Sequence, residues 1–196
     1  MERTLVIVKP DGVQRGLIGE VIKRHEQVGL KMVAAKMVVP TPDLVEKHYL
    51  VNPEWIVNVG KKSFAAYESK GQTCPFATPE ECGRAVLERL KKYFCVCPVL
   101  AMVFEGNEAV QLVRKVAGGT EPLGAAIGTI RGDFSLDSYG LADAGSRAIR
   151  NIVHASGNLD EATKEIALWF KAEDLMDYTL INEKILYDVN LDGLME

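Results

Sequence analysis

Cysteine is sparse in this 196-residue chain, and the four present (Cys74, Cys82, Cys95 and Cys97) form no C-x-x-C pair. Cys95 and Cys97 lie two apart and share a face only if extended. That spacing matches no strong zinc pattern, so reduced, mostly buried thiols are expected. Aromatic residues are 7% of the chain, and the segments that read as strands carry almost none. This argues against an RNA-reading sheet, which stacks bases on exposed rings. Positive charge is not in excess: 23 Lys and Arg stand against 27 Asp and Glu, a formal net charge of −4. This argues against a general binder of nucleic-acid backbones, while a local basic site remains open. No apolar run approaches the length that spans a bilayer. The first run covers only Leu5 to Val8, too short for a signal-peptide core. A soluble, cytoplasmic protein with no membrane or nucleic-acid partner is the expectation. The sequence also lacks a Walker A loop, a G-x-G-x-x-G loop, repeats and low-complexity segments, so neither standard phosphate loop supports nucleotide binding.

Apolar residues are 47% of the chain and charged residues 26%, enough for a sizeable core and too apolar for disorder. Thr4 to Val8 reads as a buried strand, ended by the breakers in Lys9-Pro10-Asp11-Gly12. Ile18, Val21, Ile22 and Val28 follow at near-helical spacing before Gly29, a natural terminator. Lys31 to Val39 is a second strand. Thr41-Pro42 and Asn52-Pro53 each place a cap before a proline at the first helical position. Thr78 with Glu81 forms a capping box. Pro98 to Phe104 is a third strand. Asn107 caps the next helix, which Gly118-Gly119 closes. A loop runs from Thr120 to about Tyr139, and a short helix is expected over Asp143 to Arg150. Ile152 to His154 is the fourth strand, and Asn158 caps a final helix. The expected fold is α+β: a ferredoxin-like, four-stranded antiparallel sheet of two β-α-β halves with helices on one face. Residues 1–196 read as one domain, with an inserted helical hairpin over about 52–94.

Candidate chemistry rests on few residues. Asn151-Ile-Val-His154-Ala-Ser156 carries a histidine at a strand end, with small neighbours that leave room for a ligand. Taken alone, His154 is either a reactive group or an ordinary packed histidine. Glu165 lies about two turns into the following helix and could reach back to it. His25 and His48 sit on predicted helices and read as satisfied or exposed. Lys9 ends a buried strand, Arg114 lies on a helix, and Arg131 sits in Gly128-Thr-Ile-Arg131-Gly132-Asp133. Each of these cations alone fits a solvated surface residue as well as a ligand.

Three segments in order, KPDG at 9–12, GTIRGDF at 128–134 and NIVHAS at 151–156, together resemble nucleoside diphosphate kinases. Val13-Gln14-Arg15-Gly16-Leu17 and Glu165-Ile-Ala-Leu-Trp169-Phe170 extend the likeness. It covers most of the chain outside about 51–95 and 135–147, and the long middle segments resemble the archaeal branch. The resemblance implies transfer of a γ-phosphoryl group from a nucleoside triphosphate to a diphosphate, in two half-reactions through phosphorylated His154. A free histidine is roughly three-quarters neutral at pH 7, so a lone pair is available. By the same likeness Lys9, Arg114 and Arg131 hold phosphate oxygens, and Thr120 donates a hydrogen bond to them. Asn151 and Lys9 meet the sugar, Tyr49 lines the phosphate site, and Ser156 and Glu165 orient His154. Mg²⁺ arrives on the nucleotide phosphates rather than in a protein cage. A homo-oligomer is implied, with a hexamer suggested. Counting back from Pro98 puts Val86 where the family stacks a phenylalanine on the base, with Ala148 across the slot. The chain departs from the family at Ile127, usually proline, at Ala155, often glycine, and at Gly157-Asn158, where aspartate is common. The rival reading is a non-catalytic, nucleotide-binding regulatory protein of the same fold. The presence of His154, Lys9 and Arg131 together argues against it.

Overall fold

The computed structural model describes residues 1–69, 71 and 73–187. Four strands, β1 Glu2–Val8, β2 Lys31–Val38, β3 Val99–Gly106 and β4 Val153–Ala155, lie in the order β2-β3-β1-β4. All neighbouring pairs are antiparallel. The helices are α1 Pro10–Gln14, α2 Ile18–Gln27, α3 Pro42–Tyr49, α4 Trp55–Ser69, α5 Pro79–Phe94, α6 Ala109–Ala117, α7 Ile130–Phe134, α8 Tyr139–Ala144, α9 Leu159–Trp169 and α10 Glu183–Tyr187. This is the ferredoxin-like α+β fold read from the sequence.

The two crossover helices, α2 and α6, share one face of the sheet. There Val21, Val113 and Ala117 pack with Val6, Val8, Met102 and Phe104. The reading of helices on one face holds for this pair, and a second helical layer adds to it. Helices α3, α5 and α9 cover the opposite face, where Val45, Leu90, Phe94, Ile166 and Trp169 meet Leu5, Ile7, Ala101 and Val103. β1 shows why: it is apolar at successive positions, and every residue from Thr4 to Val8 is fully buried. A strand needs such a continuous run when both of its faces are covered.

Local chemistry sets most helix starts. Thr41, Thr78 and Asn158 accept backbone N–H bonds from Leu44, Glu81 and Glu161 at 3.2, 3.2 and 2.9 Å, satisfying donors that a first turn leaves orphaned. At the expected capping box, Glu81 reaches the N–H of Ala77 at 3.1 Å, one residue before Thr78. Asn52 accepts from Glu54 N–H at 3.0 Å and starts a turn, and α4 begins only at Trp55. Asn107 does not cap α6. The cap is Glu108, left-handed at φ 46°, and the carboxylate of Glu2 takes the Val110 N–H from across the fold at 3.4 Å. The loop after Thr120 holds a 3₁₀ turn at Pro122–Gly124 and then α7. The short helix expected over 143–150 lies earlier, at α8, where Ser138 caps it through Leu141 N–H at 3.1 Å.

α4 and α5 form the expected helical hairpin, and two glycines let their backbones touch. A Cβ on Gly60 would lie 1.8 Å from Pro79 O, and one on Gly83 would lie 2.1 Å from Ile56 O. Gly83→Ala is therefore expected to destabilise the protein by about 1–3 kcal/mol, as overpacking does, with loss of amide protection along α4. Denaturant unfolding combined with hydrogen exchange measures both. An unchanged midpoint and unchanged protection would show that the contact carries no constraint.

Candidate active site

The site is built around one distorted residue. Ile152 is fully buried with φ 67°, a left-handed conformation that a β-branched residue rarely adopts. The N–H of Val153 bonds to Asn151 O at 2.7 Å across it, closing a tight turn of the strained, positive-φ kind. Three neighbours hold this turn. Asp11 Oδ2 accepts the Ile152 N–H at 3.1 Å, the Lys9 N–H donates to Ile152 O at 2.7 Å, and Arg131 donates to Asn151 O and Val153 O at 3.3 and 2.8 Å. The chain then enters β4, where His154 pairs with Ile7. Residues directly opposite on antiparallel strands share a face, so His154 stands on the side of Ile7, beneath α3, α5 and α9.

His154 is half-buried. Its Nε2–H donates to Glu165 Oε2 at 3.1 Å, and Ser156 Oγ donates to the same oxygen at 2.6 Å. Ser156 is fixed in turn by β1, accepting from Leu5 N–H at 3.2 Å. Burial alone would raise the Glu165 pKa, but the His154 imidazole beside it, then His48 and Ser156, hold the carboxyl down at about 2. Because Nε2 is engaged, the imidazole presents Nδ1 as its free lone pair. Behind it lies His48, 1% exposed, with ring centroids 4.4 Å apart and planes at 75°. The indole N–H of Trp169 donates to His48 Nδ1 at 3.2 Å. Burial, and then the neighbouring His154, push His48 down to about 3.

The cations gather nearby. Lys9 is 5% exposed and donates to Asn151 Oδ1 at 2.7 Å. Burial, and then Arg131, lower its pKa to about 7, against a smaller opposing pull from Asp11. Arg131 is also buried; burial and the charge of Arg114 lower it to about 10, so it stays charged at neutral pH. Its guanidinium spans three carbonyls, the third being Gly118 O at 2.7 Å. Of the five N–H donors of an arginine, two remain for another ligand. Arg114 is exposed on α6.

The structure thus brings Lys9, Asn151, Arg131, His154, Ser156 and Glu165 together. The Asn151 amide is engaged at both ends, its Nδ2 donating to Thr120 O at 2.8 Å, while the Thr120 side chain is exposed. Tyr49 packs edge-on against His48 at 4.9 Å and Phe94 at 5.9 Å, and burial raises its hydroxyl pKa. Val86 packs on the cluster that contains Leu90 and Ala148. Sequence reasoning missed His48, Trp169 and Asp11. One signal was present: Glu165 and Trp169 stand four apart on α9 and so share a helix face. An adjoining groove of about 800 Å³ is lined by Asp11, Arg15, Arg89, Tyr93, Arg147 and Ala148 among others, but not by Lys9, Arg131 or His154. Side-chain clustering, not cavity size, marks the chemistry here.

His48, His154 and Glu165 offer one ligand atom each, all within 4.8 Å of one another. Trp169 already occupies His48 Nδ1, and His154 and Ser156 occupy Glu165. Asp11 is likewise engaged, with Ile152 N–H and the Tyr93 hydroxyl. Both bonds to Glu165 fall on Oε2, whereas the two oxygens of Asp11 have one partner each.

Fold and site together define a phosphotransferase. A family model described as nucleoside diphosphate kinase matches residues 2–67 and 76–175. The chain belongs to that family. A nucleoside diphosphate kinase of Pyrobaculum aerophilum is 44% identical over 90% of this chain and 99% of its own length, and a solved structure of an NDP kinase from that organism superposes with TM-score 0.86 over the same shares, at 43% identity. The Borreliella burgdorferi enzyme is 42% identical over 91% of this chain and 92% of its own. Its transition-state mimic with bound vanadate and ADP gives TM-score 0.75 at 40% identity, covering 94% of this chain and 95% of that one. A Halobacterium salinarum enzyme in complex with CDP gives TM-score 0.68 at 35% identity, covering 95% and 99%.

Glu165 makes a pH test available. A carboxyl held below its ordinary 4.5 stabilises the fold above that pH, and the contribution is lost as pH falls towards about 2. Glu165→Gln should unfold more readily at pH 7, by roughly 1–3 kcal/mol, and should show a flatter fall in stability between pH 5 and pH 3 than the unmodified protein. Denaturation at these pH values decides it, and parallel curves would count against the assignment.

Proposed function

We propose that His154 carries the γ-phosphoryl group on Nδ1, between a nucleoside triphosphate donor and a nucleoside diphosphate acceptor. The observation that carries this reading is the 3.1 Å bond from His154 Nε2–H to Glu165, which commits one ring nitrogen and leaves the other as nucleophile. The Nδ1 lone pair attacks phosphorus, the bond to the bridging oxygen breaks, and the diphosphate leaves with the electron pair. An acceptor's terminal oxygen then attacks the phosphohistidine, and the nitrogen recovers its lone pair. Splitting the reaction lets donor and acceptor use one site in turn. Lys9, Arg131 and Arg114 neutralise the equatorial oxygens, the main requirement of such a transfer. A divalent ion, Mg²⁺ in this reading, adds charge neutralisation when bound on the phosphates.

Asn151 and Lys9 meet the sugar, Tyr49 and Thr120 border the phosphates, and the base lies between Val86 and Ala148. Two small apolar walls supply only about 1–3 kcal/mol of discrimination, so several bases fit. The solved relatives bound to ADP and to CDP support that breadth. The chain acts as one catalytic domain with the 52–94 hairpin as a cover, working in the cytoplasm as a homo-oligomer. The intact cluster of His154, Lys9 and Arg131 stands against a regulatory protein without catalysis.

Incubation with γ-labelled ATP and no acceptor should leave an acid-labile, base-stable label on the protein. His154→Ala should lose both label and turnover while keeping its fold. Persistent turnover in that variant would remove the proposal.

Lys9 gives a second outcome. With a pKa near 7, it is mostly neutral at pH 8 in the free protein, and a bound polyanion raises that pKa again. Nucleotide binding at pH 8 should therefore take up as much as one proton, and less at pH 6, where Lys9 is already charged. Calorimetry in two buffers of different ionisation enthalpy reads this directly, and Lys9→Met should abolish the excess. Equal uptake in both proteins would place the proton elsewhere.

A further inference from the structure

His48 has no part in the transfer as described, yet it has a more restricted setting than His154. It is buried at the last turn of α3, boxed by Tyr49 at 4.9 Å, Trp169 at 5.7 Å and Phe94 at 6.5 Å between ring centroids. An indole nitrogen only donates, so the 3.2 Å contact from Trp169 requires a lone pair on His48 Nδ1. The neutral ring then carries its proton on Nε2, and that atom has no partner among the described residues. Buried polar groups are nearly always paired, so this unpaired end sets His48 apart from a histidine satisfied at both nitrogens.

We propose that His48 is a positioning residue for phosphoryl transfer: Trp169 locks it in one tautomer, and its ring braces His154 against Glu165 so that Nδ1 faces the incoming phosphate. The proposal rests on His154 as nucleophile. β4 has only three residues, and Ala155 and Ser156 beside the histidine are small. The bond to Glu165 fixes one ring atom and leaves a pivot about it. The ring of His48, 4.4 Å away between centroids and at 75°, supplies the second point that stops the pivot. A phenylalanine would fill the volume but leave the Trp169 N–H unmatched. A lysine or arginine would bring a charge that competes for Glu165, whose Oε1 already lies 3.8 Å from His48 Nδ1. A neutral imidazole satisfies both demands.

Three histidines in the whole chain make ¹⁵N-histidine NMR a direct readout. In the unmodified protein, His48 and His154 should each show a single neutral tautomer with the proton on Nε2. In His48→Phe, the His154 signals should move towards a mixture of tautomers. Single-turnover phosphorylation at saturating ATP should fall about tenfold or more, as loss of orientation does, with KM within about twofold. His48→Asn places an amide oxygen near the former Nδ1 and should recover part of the rate. A His48→Phe protein with unchanged rate and a single His154 tautomer would overturn the proposal. So would equal rate losses in the Phe and Asn variants that follow only a lowered thermal midpoint. If His48→Phe does not fold, Trp169→Phe decides by the same spectra, since freeing Nδ1 should give His48 two tautomers and slow phosphorylation. If the unmodified protein forms no phosphohistidine, the functional reading fails, and the His154 tautomer still reports on His48.

Discussion

One left-handed isoleucine fixes the geometry of everything around it. A buried, β-branched residue at φ 67° costs on the order of 1–3 kcal/mol and persists only when its surroundings over-determine it. Here Asp11 from the first motif, the backbone of Lys9, and Arg131 from the second motif all bond to the turn at residues 151–153. Three segments far apart in sequence therefore converge on one backbone kink. The kink turns the Asn151 side chain towards Lys9 and Thr120 and lets β4 join β1 at Val153, one residue before His154. The motifs are bound to each other by strain that none of them could hold alone.

The same convergence explains the charges. Lys9, Arg131 and Glu165 are each at most 8% exposed, and burying unpaired charge is costly. Glu165 is compensated by His154 and Ser156, and Arg131 by three carbonyls. Lys9 is compensated least, with one neutral amide as partner, and its pKa falls furthest from its ordinary value towards neutrality. That imbalance suits a site that awaits a polyanion. In the proposed function the donors are already oriented, so an arriving phosphate would meet fixed dipoles rather than solvent that must reorganise.

The sequence displayed the sheet and the proposed nucleophile more clearly than the frame behind them. β1 announced itself as a continuous apolar run, and Thr41, Thr78 and Asn158 announced their helices, because those signals are local. Glu108 replaced Asn107 as the cap of α6 because the decisive acceptor, Glu2, lies more than a hundred residues away. Arg131 could be proposed as a phosphate ligand by its motif. Its grip on Gly118, Asn151 and Val153 could not, since carbonyl partners leave no trace in side-chain identity. His48 was hidden for the opposite reason. A histidine on a helix resembles any other, and only the fold shows that Trp169 and His154 approach it from two sides. The sequence reading put helices on one face of the sheet, although the unbroken apolar run of β1 required a layer on both sides.

Helix α5 shows how that second layer belongs to the site. Its Leu90 and Phe94 are buried against the sheet, with Val86 packed alongside. The neighbouring Tyr93 turns away and donates its hydroxyl to Asp11 Oδ1, while the other oxygen of Asp11 holds Ile152 N–H. One carboxylate thus ties the wall where the base is proposed to lie to the kink that presents His154. At its other end α5 touches α4 backbone to backbone through Gly83 and Gly60, leaving no slack for side chains to absorb a shift. A displacement of the hairpin therefore has a short covalent and hydrogen-bonded route to Ile152. The proposed cover and the proposed nucleophile are held by one frame, with α5 as its beam.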